Sequence, residues 1–313
     1  MHLERALELA ERGRGTTRPN PVVGAVVVSP EGEVVGEGWH ERKGGPHAEV
    51  VALEAAGERA RDATLYVTME PCAHHGTTPP CTEAVLAAGV GKVVAGSLDP
   101  NPEATGGLEL LRGRGLEVEH AGSFEARAQN EAWRTWVAHG RPFVTLKLAA
   151  TLDCRVTIPG QRWVTGEESR RLVHQLRAAA DAVAVGMGTV RADEPRLDAR
   201  DVDAPRQPRR LVFGRGPLPH GSELELRTGG LEDELATLGV EGVQSLLLEG
   251  GPTLATAFLT RDLIDKLLLF VAPVIAGEGV QMLGELPAPR PLTRLAARQV
   301  GEDVLLSGYF HAP

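Results

Sequence analysis

Cysteine is scarce, with three residues in a chain of 313. So few cannot form the disulfide framework of a secreted scaffold, and Cys72 and Cys81, close together near a histidine-rich stretch, read better as metal ligands or catalytic groups. Excess positive charge is also missing. Lys and Arg total 33 against 42 Asp and Glu, a formal net charge of −9, the wrong sign for a chain that grips nucleic acid through a basic surface. No uninterrupted apolar stretch approaches the roughly 18 residues that span a bilayer, so no membrane partner is expected and a cytoplasmic location is. Phe and Tyr are sparse and Arg far outnumbers Lys, a bias that nucleotide composition produces as readily as adaptation to heat.

What remains is ordinary globular material, 42% hydrophobic and 24% charged, enough for a core in each of two domains. Apolar residues Leu3, Ala6, Leu7 and Ala10 recur at helical spacing ahead of strands at Val22–Val28 and Glu33–Trp39. A helix over His47–Ala60, a strand over Thr64–Met69, a helix over Cys81–Ala88 and strands over Lys92–Ala95 and Leu116–Glu119 then predict a helix–sheet–helix sandwich. A helix over Glu125–Ala138 ends at Gly140-Arg141-Pro142, which places a boundary near residue 141. The second half starts with a strand over Phe143–Ala149. It continues with a helix over Glu167–Ala180, strands over Ala182–Val185, Arg210–Phe213 and Ser245–Leu248, a helix over Thr253–Leu259 and a strand over Lys266–Val271. Residues 201–230 are rich in Pro, Gly and Arg and read as loop. The fold class is α/β in both halves, residues 1–141 and 142–313.

The chemistry concentrates in Pro46-His47-Ala48-Glu49, Glu70-Pro71-Cys72 and, after eight intervening residues, Cys81. One imidazole and two thiolates hold a tetrahedral zinc with one position open, which is a catalytic ligand count. On a continuous helix His47 and Glu49 would splay about 200° apart, so His47 belongs at the helix start, where Glu49 can reach water at the metal. This matches the division of labour in zinc-dependent base deaminases, with Glu49 moving the proton to the departing ammonia. A closed structural site with His74 or His75 as fourth ligand is the rival reading, and a zinc-stabilised assembly protein without chemistry is another.

The spacing and the string Pro71-Cys72-Ala73-His74-His75-Gly76-Thr77-Thr78-Pro79-Pro80-Cys81 resemble the RibD family of bifunctional riboflavin-biosynthesis enzymes. The resemblance takes in Pro19-Asn20-Pro21-Val22-Val23-Gly24, Gly38-Trp39-His40, Asp99-Pro100-Asn101-Pro102, Lys147 to Asp153, Thr189 to Leu197 and Glu249 to Leu254. It implies an N-terminal cytidine-deaminase-like α/β/α sandwich and a C-terminal dihydrofolate-reductase-like α/β domain. It also implies one Zn2+ per chain, NADPH, a phosphoribosylated pyrimidine substrate that is first deaminated and then reduced to the ribityl compound, and a homo-oligomer. A deaminase of another base or nucleoside, with a C-terminal domain that is not a reductase, is the alternative.

By motif position, Asn20, His40, His74, Asp99 and Asn101 are expected at the deaminase substrate. Arg177, Leu197, Arg200 and Glu249 are expected at the reductase substrate. Ala150, Trp163, Thr189, Asp193 and the run Gly251, Pro252, Thr253, Leu254, Ala255, Thr256 and Ala257 are expected at NADPH. The absence of G-x-G-x-x-G after any strand of the second half fits a scaffold other than the Rossmann fold. Two glycines, then Pro252 at a helix start, suit an anion at free N–H groups. Lys147 and Asp153 read either as proton donors to the ring-opened sugar or as a structural ion pair. Ala73 and Thr77 stand where the family has Ser and Arg, leaving Arg42 or Lys43 as alternatives for the phosphate. Cys154 replaces a Gly and is expected to be a small buried side chain. Gln161 falls where a substrate-binding Ser is usual, and Gly214-Arg215 replaces Asp-Ser, which puts a guanidinium where the 2′-phosphate of NADPH could be held.

Overall fold

Alternation of apolar side chains organises the first unit. The computed structural model describes residues 1–76 and 79–313 and divides into two units, Met1–His139 and Gly140–Ala312. The expectation attached to Thr77 lies outside the described residues. Helix α1 (His2–Glu11) precedes strands β1 (Gly24–Val28) and β2 (Val34–Trp39). Then follow α2 (Ala48–Ala56), β3 (Thr64–Met69), α3 (Cys81–Ala88), β4 (Lys92–Ser97), α4 (Gly107–Gly113), β5 (Glu117–His120), α5 (Phe124–Gln129) and α6 (Glu131–His139). The sheet order is β2-β1-β3-β4-β5, antiparallel from β2 to β3 and parallel beyond. Ala25 and Val27 of β1 face a core built with Ala52 and Leu53 of α2, Val85 of α3 and Leu111 of α4. Val26 and Val28 face Ala6 and Leu9 of α1 on the other side, as the period of two requires. This is the expected sandwich.

The second unit runs β6 (Phe143–Thr151), α7 (Glu167–Ala179), β7 (Ala182–Gly186), α8 (Met187–Asp193), β8 (Arg209–Phe213), β9 (Glu225–Arg227), α9 (Leu231–Val240) and β10 (Ser245–Leu248). It ends with α10 (Pro252–Thr260), β11 (Lys266–Ala272), β12 (Thr293–Val300) and β13 (Asp303–Tyr309). Eight strands lie in the order β12-β13-β11-β6-β10-β7-β8-β9. From β11 to β9 the neighbours are parallel, and β13 pairs antiparallel with β11 and β12. Val144, Leu146, Ala184 and Leu246 meet Leu235 of α9 and Phe258 of α10 on one face. Val183, Val185, Val212 and Leu247 meet Val190 of α8 and Leu176 of α7 on the other. Near-continuous apolar strands are what a parallel sheet covered on both faces demands.

Several elements depart from expectation. The helix expected over Glu125–Ala138 breaks at Asn130. There the carboxamide leaves the helical path to accept from Val22 N at 2.9 Å and donate to Val22 O at 2.8 Å. The stretch read as loop contains β9, and α9 directly follows it although its Leu231, Leu235, Leu238 spacing was available in the sequence. Strand β12 carries no apolar alternation because nearly all of it is exposed at a sheet edge. Cys154 is exposed rather than buried, because it occupies a turn position with φ 63° after β6. Among the described residues no helix is long and apolar enough to cross a membrane.

Close approach of α1 to β1 depends on Gly24, where a Cβ would lie 2.0 Å from Ala6 O and 2.8 Å from Ala10 N. Gly24→Ala therefore has to push the helix off the sheet, and a loss of about 1–3 kcal/mol is expected. Urea unfolding of both proteins measures it, with the midpoint moved to lower denaturant in the variant.

Candidate active sites

The zinc-type cluster forms where three elements begin or end. His47 is the N-cap of α2 with an extended backbone (φ −76°, ψ 161°), so its ring turns away from the helix and the angular conflict with Glu49 disappears. Cys81 opens α3 after Pro80, and Cys72 follows β3. His47 Nδ1 lies 3.1 Å from Cys81 Sγ and 3.6 Å from Cys72 Sγ, and the three donor atoms fall within 4.8 Å of one another. The Cys81 N–H donates to Cys72 Sγ at 3.3 Å. Cys72 is held far below the usual thiol range, chiefly by the hydrogen bond from Cys81, and Cys81 is pushed up.

This donor set fits zinc, with an imidazole nitrogen and two sulfurs converging and a fourth position left to solvent or substrate. Among the described residues neither His74 nor His75 joins the cluster, and His75 lies 3.4 Å from Glu83 instead. Glu49 is 3% exposed, and among the described residues its Oε2 has no hydrogen-bond partner. Burial pushes its carboxyl up to about 7, against the lowering influence of His47.

The expected substrate residues frame this cluster. His40 meets Pro46 O through Nδ1 at 3.0 Å and Asn20 Nδ2 through Nε2 at 3.3 Å, and its ring stands 5.3 Å from that of His47. Burial lowers the His40 pKa, favouring the neutral ring, in which Nδ1–H donates to the carbonyl and Nε2 accepts from Asn20. The loop carrying Asp99 and Asn101 is held by Glu70, a residue that sequence reasoning passed over. Its buried carboxylate accepts from Asp99 N at 2.9 Å, Thr105 Oγ1 at 3.0 Å and Leu108 N at 3.3 Å. Asp99 in turn accepts from Asn101 N at 2.8 Å, and burial raises its carboxyl to about 6. His74 is part-buried, and among the described residues its Nδ1 has no hydrogen-bond partner. Arg42 and Lys43 lie exposed in the loop ahead of His47.

In the second unit the carboxyl ends of adjacent parallel strands β7 and β10 lead into α8 and α10, the crevice where open parallel sheets bind ligands. Gly251 caps α10 without a side-chain bond and Pro252 follows it, leaving N–H groups for an anion. A Cβ on Gly251 would stand 3.3 Å from Thr189 Oγ1, and one on Gly250 3.2 Å from Leu254. This narrow cradle fits the phosphates of a dinucleotide. Within the expected run, Ala255 is fully buried and Thr256 Oγ1 accepts from Gly284 N at 2.8 Å. Ala150 is likewise buried, whereas Trp163 is 50% exposed between the guanidinium groups of Arg162 and Arg170 at 5.0 and 5.4 Å. Asp193, Gln161 and Arg215 are exposed, and Arg215 O accepts from Arg191 at 3.2 Å.

Glu249, directly after β10, sits between two cations. Arg177 donates through Nε at 2.6 Å and Nη2 at 2.9 Å, and Lys147 Nζ stands 3.8 Å away. Burial alone would raise the Glu249 carboxyl, but Arg177 and Lys147 outweigh it and hold it low. Burial lowers Lys147. Arg177 also donates to Asp198 O at 3.1 Å, and Arg200 pairs with the Asp198 carboxylate at 2.5 Å. Leu197 is 1% exposed, with φ 55°. The Lys147–Asp153 ion pair considered from sequence does not form. Asp153 instead accepts from Thr151 Oγ1 at 2.6 Å, Ala276 N at 2.9 Å and Gly277 N at 2.8 Å, because it leaves β6 facing that loop.

Fold and sites together define a two-unit enzyme, a zinc-dependent deaminase of the cytidine-deaminase kind followed by a reductase. Residues 1–97 match the cytidine and deoxycytidylate deaminase zinc-binding region, and residues 142–306 match the RibD C-terminal domain. The riboflavin biosynthesis protein RibD of Aquifex aeolicus is 40% identical over 345 residues, covering 97% of this chain and 96% of its own. That of Escherichia coli is 38% identical, covering 97% of each. A solved Acinetobacter baumannii RibD superposes with a TM-score of 0.84 at 35% identity, over 98% of this chain and 97% of that one. A deaminase/reductase from Thermotoga maritima gives 0.83 at 33% identity over the same shares. The chain belongs to the RibD family.

The Thr151 hydroxyl and the Ala276 and Gly277 amides hold Asp153 at about 2, below its ordinary 3.8. A lowered carboxyl adds stability that is complete above the ordinary value and is lost as pH falls through the folded one. Acid unfolding of wild type should therefore show a loss between about pH 4 and 2 that Asp153→Asn lacks. The variant should also exchange the Ala276 and Gly277 amides faster at neutral pH, measured by hydrogen exchange.

Proposed function

We propose that residues 1–141 deaminate 2,5-diamino-6-(5-phosphoribosylamino)pyrimidin-4-one and that residues 142–313 reduce the resulting 5-amino-6-(5-phosphoribosylamino)uracil with NADPH. The observation that carries the reading is the His47, Cys72 and Cys81 cluster with the buried, unpartnered Glu49 oxygen beside it. Support for the substrate comes from the Thermotoga maritima relative, which is titled diaminohydroxyphosphoribosylaminopyrimidine deaminase/5-amino-6-(5-phosphoribosylamino)uracil reductase. A cytoplasmic enzyme fits the biosynthetic role. A homo-oligomer fits the exposed edge strand β12.

His47, Cys72 and Cys81 hold the zinc, which when bound makes water nucleophilic near neutral pH. Glu49 takes a proton from the attacking water and delivers it to the departing amine. The water oxygen forms a bond to the ring carbon, and the C–N bond breaks to release ammonia. A carboxyl pushed up to about 7 exchanges protons readily at neutral pH. Asn20, with one N–H committed to His40, orients the pyrimidine through its carbonyl and second N–H, while His74, Asp99 and Asn101 complete the pocket.

In the reductase unit, Arg200 and the backbone at Leu197 meet the substrate, and Arg177 holds Glu249 toward the opened sugar. Lys147 is placed to give the proton that balances the incoming hydride. Ala150, Trp163, Thr189, Asp193 and the start of α10 from Gly251 to Ala257 form the cofactor side, with NADPH supplying that hydride.

Glu49→Gln should keep one zinc per chain by metal analysis yet lose ammonia release by at least about a hundredfold. Reduction of the deaminated intermediate should be unchanged, and ammonia release at the wild-type rate would remove Glu49 from the mechanism. Wild type should prefer NADPH to NADH in kcat/KM, and Arg215→Ala should erode that preference by weakening NADPH, since a guanidinium holds a phosphate through two hydrogen bonds. An unchanged ratio would take Arg215 out of the site.

A further inference from the structure

The segment 197–200 belongs to no strand, so its backbone groups lack ladder partners and must be bound some other way. Side chains bind them. Gln207, itself exposed, accepts from Ala199 N at 2.9 Å through Oε1 and donates to Ala199 O at 2.8 Å through Nε2. Its carboxamide thus stands in for the peptide group of a missing neighbouring strand. On the far side, His174 Nδ1 of α7 lies 3.2 Å from Asp198 O and 3.4 Å from Arg200 N, and Arg177 donates to the same Asp198 carbonyl at 3.1 Å.

The first unit uses the same device. Asn130 binds both backbone groups of Val22, two residues beyond Asn20, the group read as orienting the pyrimidine. In each unit one primary amide fixes a short irregular segment that carries substrate residues. Gln207 lies on the stretch before β8 that sequence reading left as uninterpreted loop.

We propose that Gln207 is a positioning residue of the reductase, clamping Ala199 so that Arg200 and the backbone at Leu197 are presented to the phosphoribosylaminopyrimidine substrate. This rests on the reading that Leu197 and Arg200 line that site. Ala199 is 5% exposed and Leu197 is 1% exposed, so the segment is anchored in the core at two points. What the clamp adds is the orientation of the backbone between and beyond them, and with it the origin of the Arg200 side chain. Loss of the clamp is expected to weaken binding of the pyrimidine while leaving the dinucleotide cradle at α10 and the first unit untouched.

Full-length Gln207→Leu tests this, because an exposed apolar substitute of similar size removes both hydrogen bonds without opening the core. The expected result is a KM for the deaminated pyrimidine raised about tenfold, as two modest hydrogen bonds allow. The KM for NADPH, the reductase kcat and ammonia release should be unchanged, and amide exchange across 197–200 should be faster. Gln207→Glu keeps the acceptor for Ala199 N and loses the donor to Ala199 O, so its KM should fall between the two. Unchanged exchange in the Leu variant would overturn the clamp. Faster exchange with an unchanged pyrimidine KM would overturn instead the placement of Leu197 and Arg200 at the substrate, and the positioning role with it. A parallel fall in ammonia release would show general destabilisation and also overturn the proposal.

Discussion

Backbone N–H groups that leave a strand lose their ladder partners, and in this protein polar side chains take them up. Glu70 binds the amides of Asp99 and Leu108, and Asp153 those of Ala276 and Gly277. Asp303 takes the Gly166 amide ahead of α7, and Asp181 those of Gln244 and Ser245 ahead of β10. An unmatched buried amide costs of order 1–3 kcal/mol, so each of these side chains decides whether its loop has one conformation or many. Asp99 and Asn101, proposed above to meet the pyrimidine, ride on a loop fixed in this way, so their placement is set by a carboxylate outside the proposed contacts.

The electrostatics of the two sites differ for the same reason. In the first unit desolvation outweighs the lowering influence of His47, and the Glu49 carboxyl is pushed up. In the second, Glu249 is buried with Arg177 and Lys147, so attraction prevails and it stays ionised. Two glutamates with similar burial are thus shifted in opposite directions, one by desolvation and one by its paired cations.

Much of the fold was legible because its signals are local. The Gly-Pro stop after α6 and the unbroken apolar runs of β1, β7 and β10 each act through neighbouring residues. The zinc-type cluster was legible because H-x-E and the Cys spacing tie ligand chemistry to sequence distance. What escaped is long-range. The break at Asn130 depends on Val22, more than a hundred positions away, and Glu70 resembles any acidic residue before a proline until the loop from Asp99 lies against it. Lys147 was paired in expectation with Asp153, its neighbour in sequence, whereas its partner Glu249 comes from the next parallel strand. Cys154 was misjudged because composition favours burial of cysteine, while the turn's positive φ decides the matter.

Arg141 grips Asp265 with two hydrogen bonds at 2.7 and 2.8 Å, and the same carboxylate accepts from Val144 N at 2.7 Å. The opening residues of the second unit are thus stapled to the start of β11, over 120 positions downstream, by groups lying wholly within that unit. A break in the coding sequence ahead of residue 140 would leave the staple whole and strand none of its polar groups. Seen as inheritance this is a seam: nothing in the staple ties the first strand of the second unit to the coding sequence upstream of residue 140.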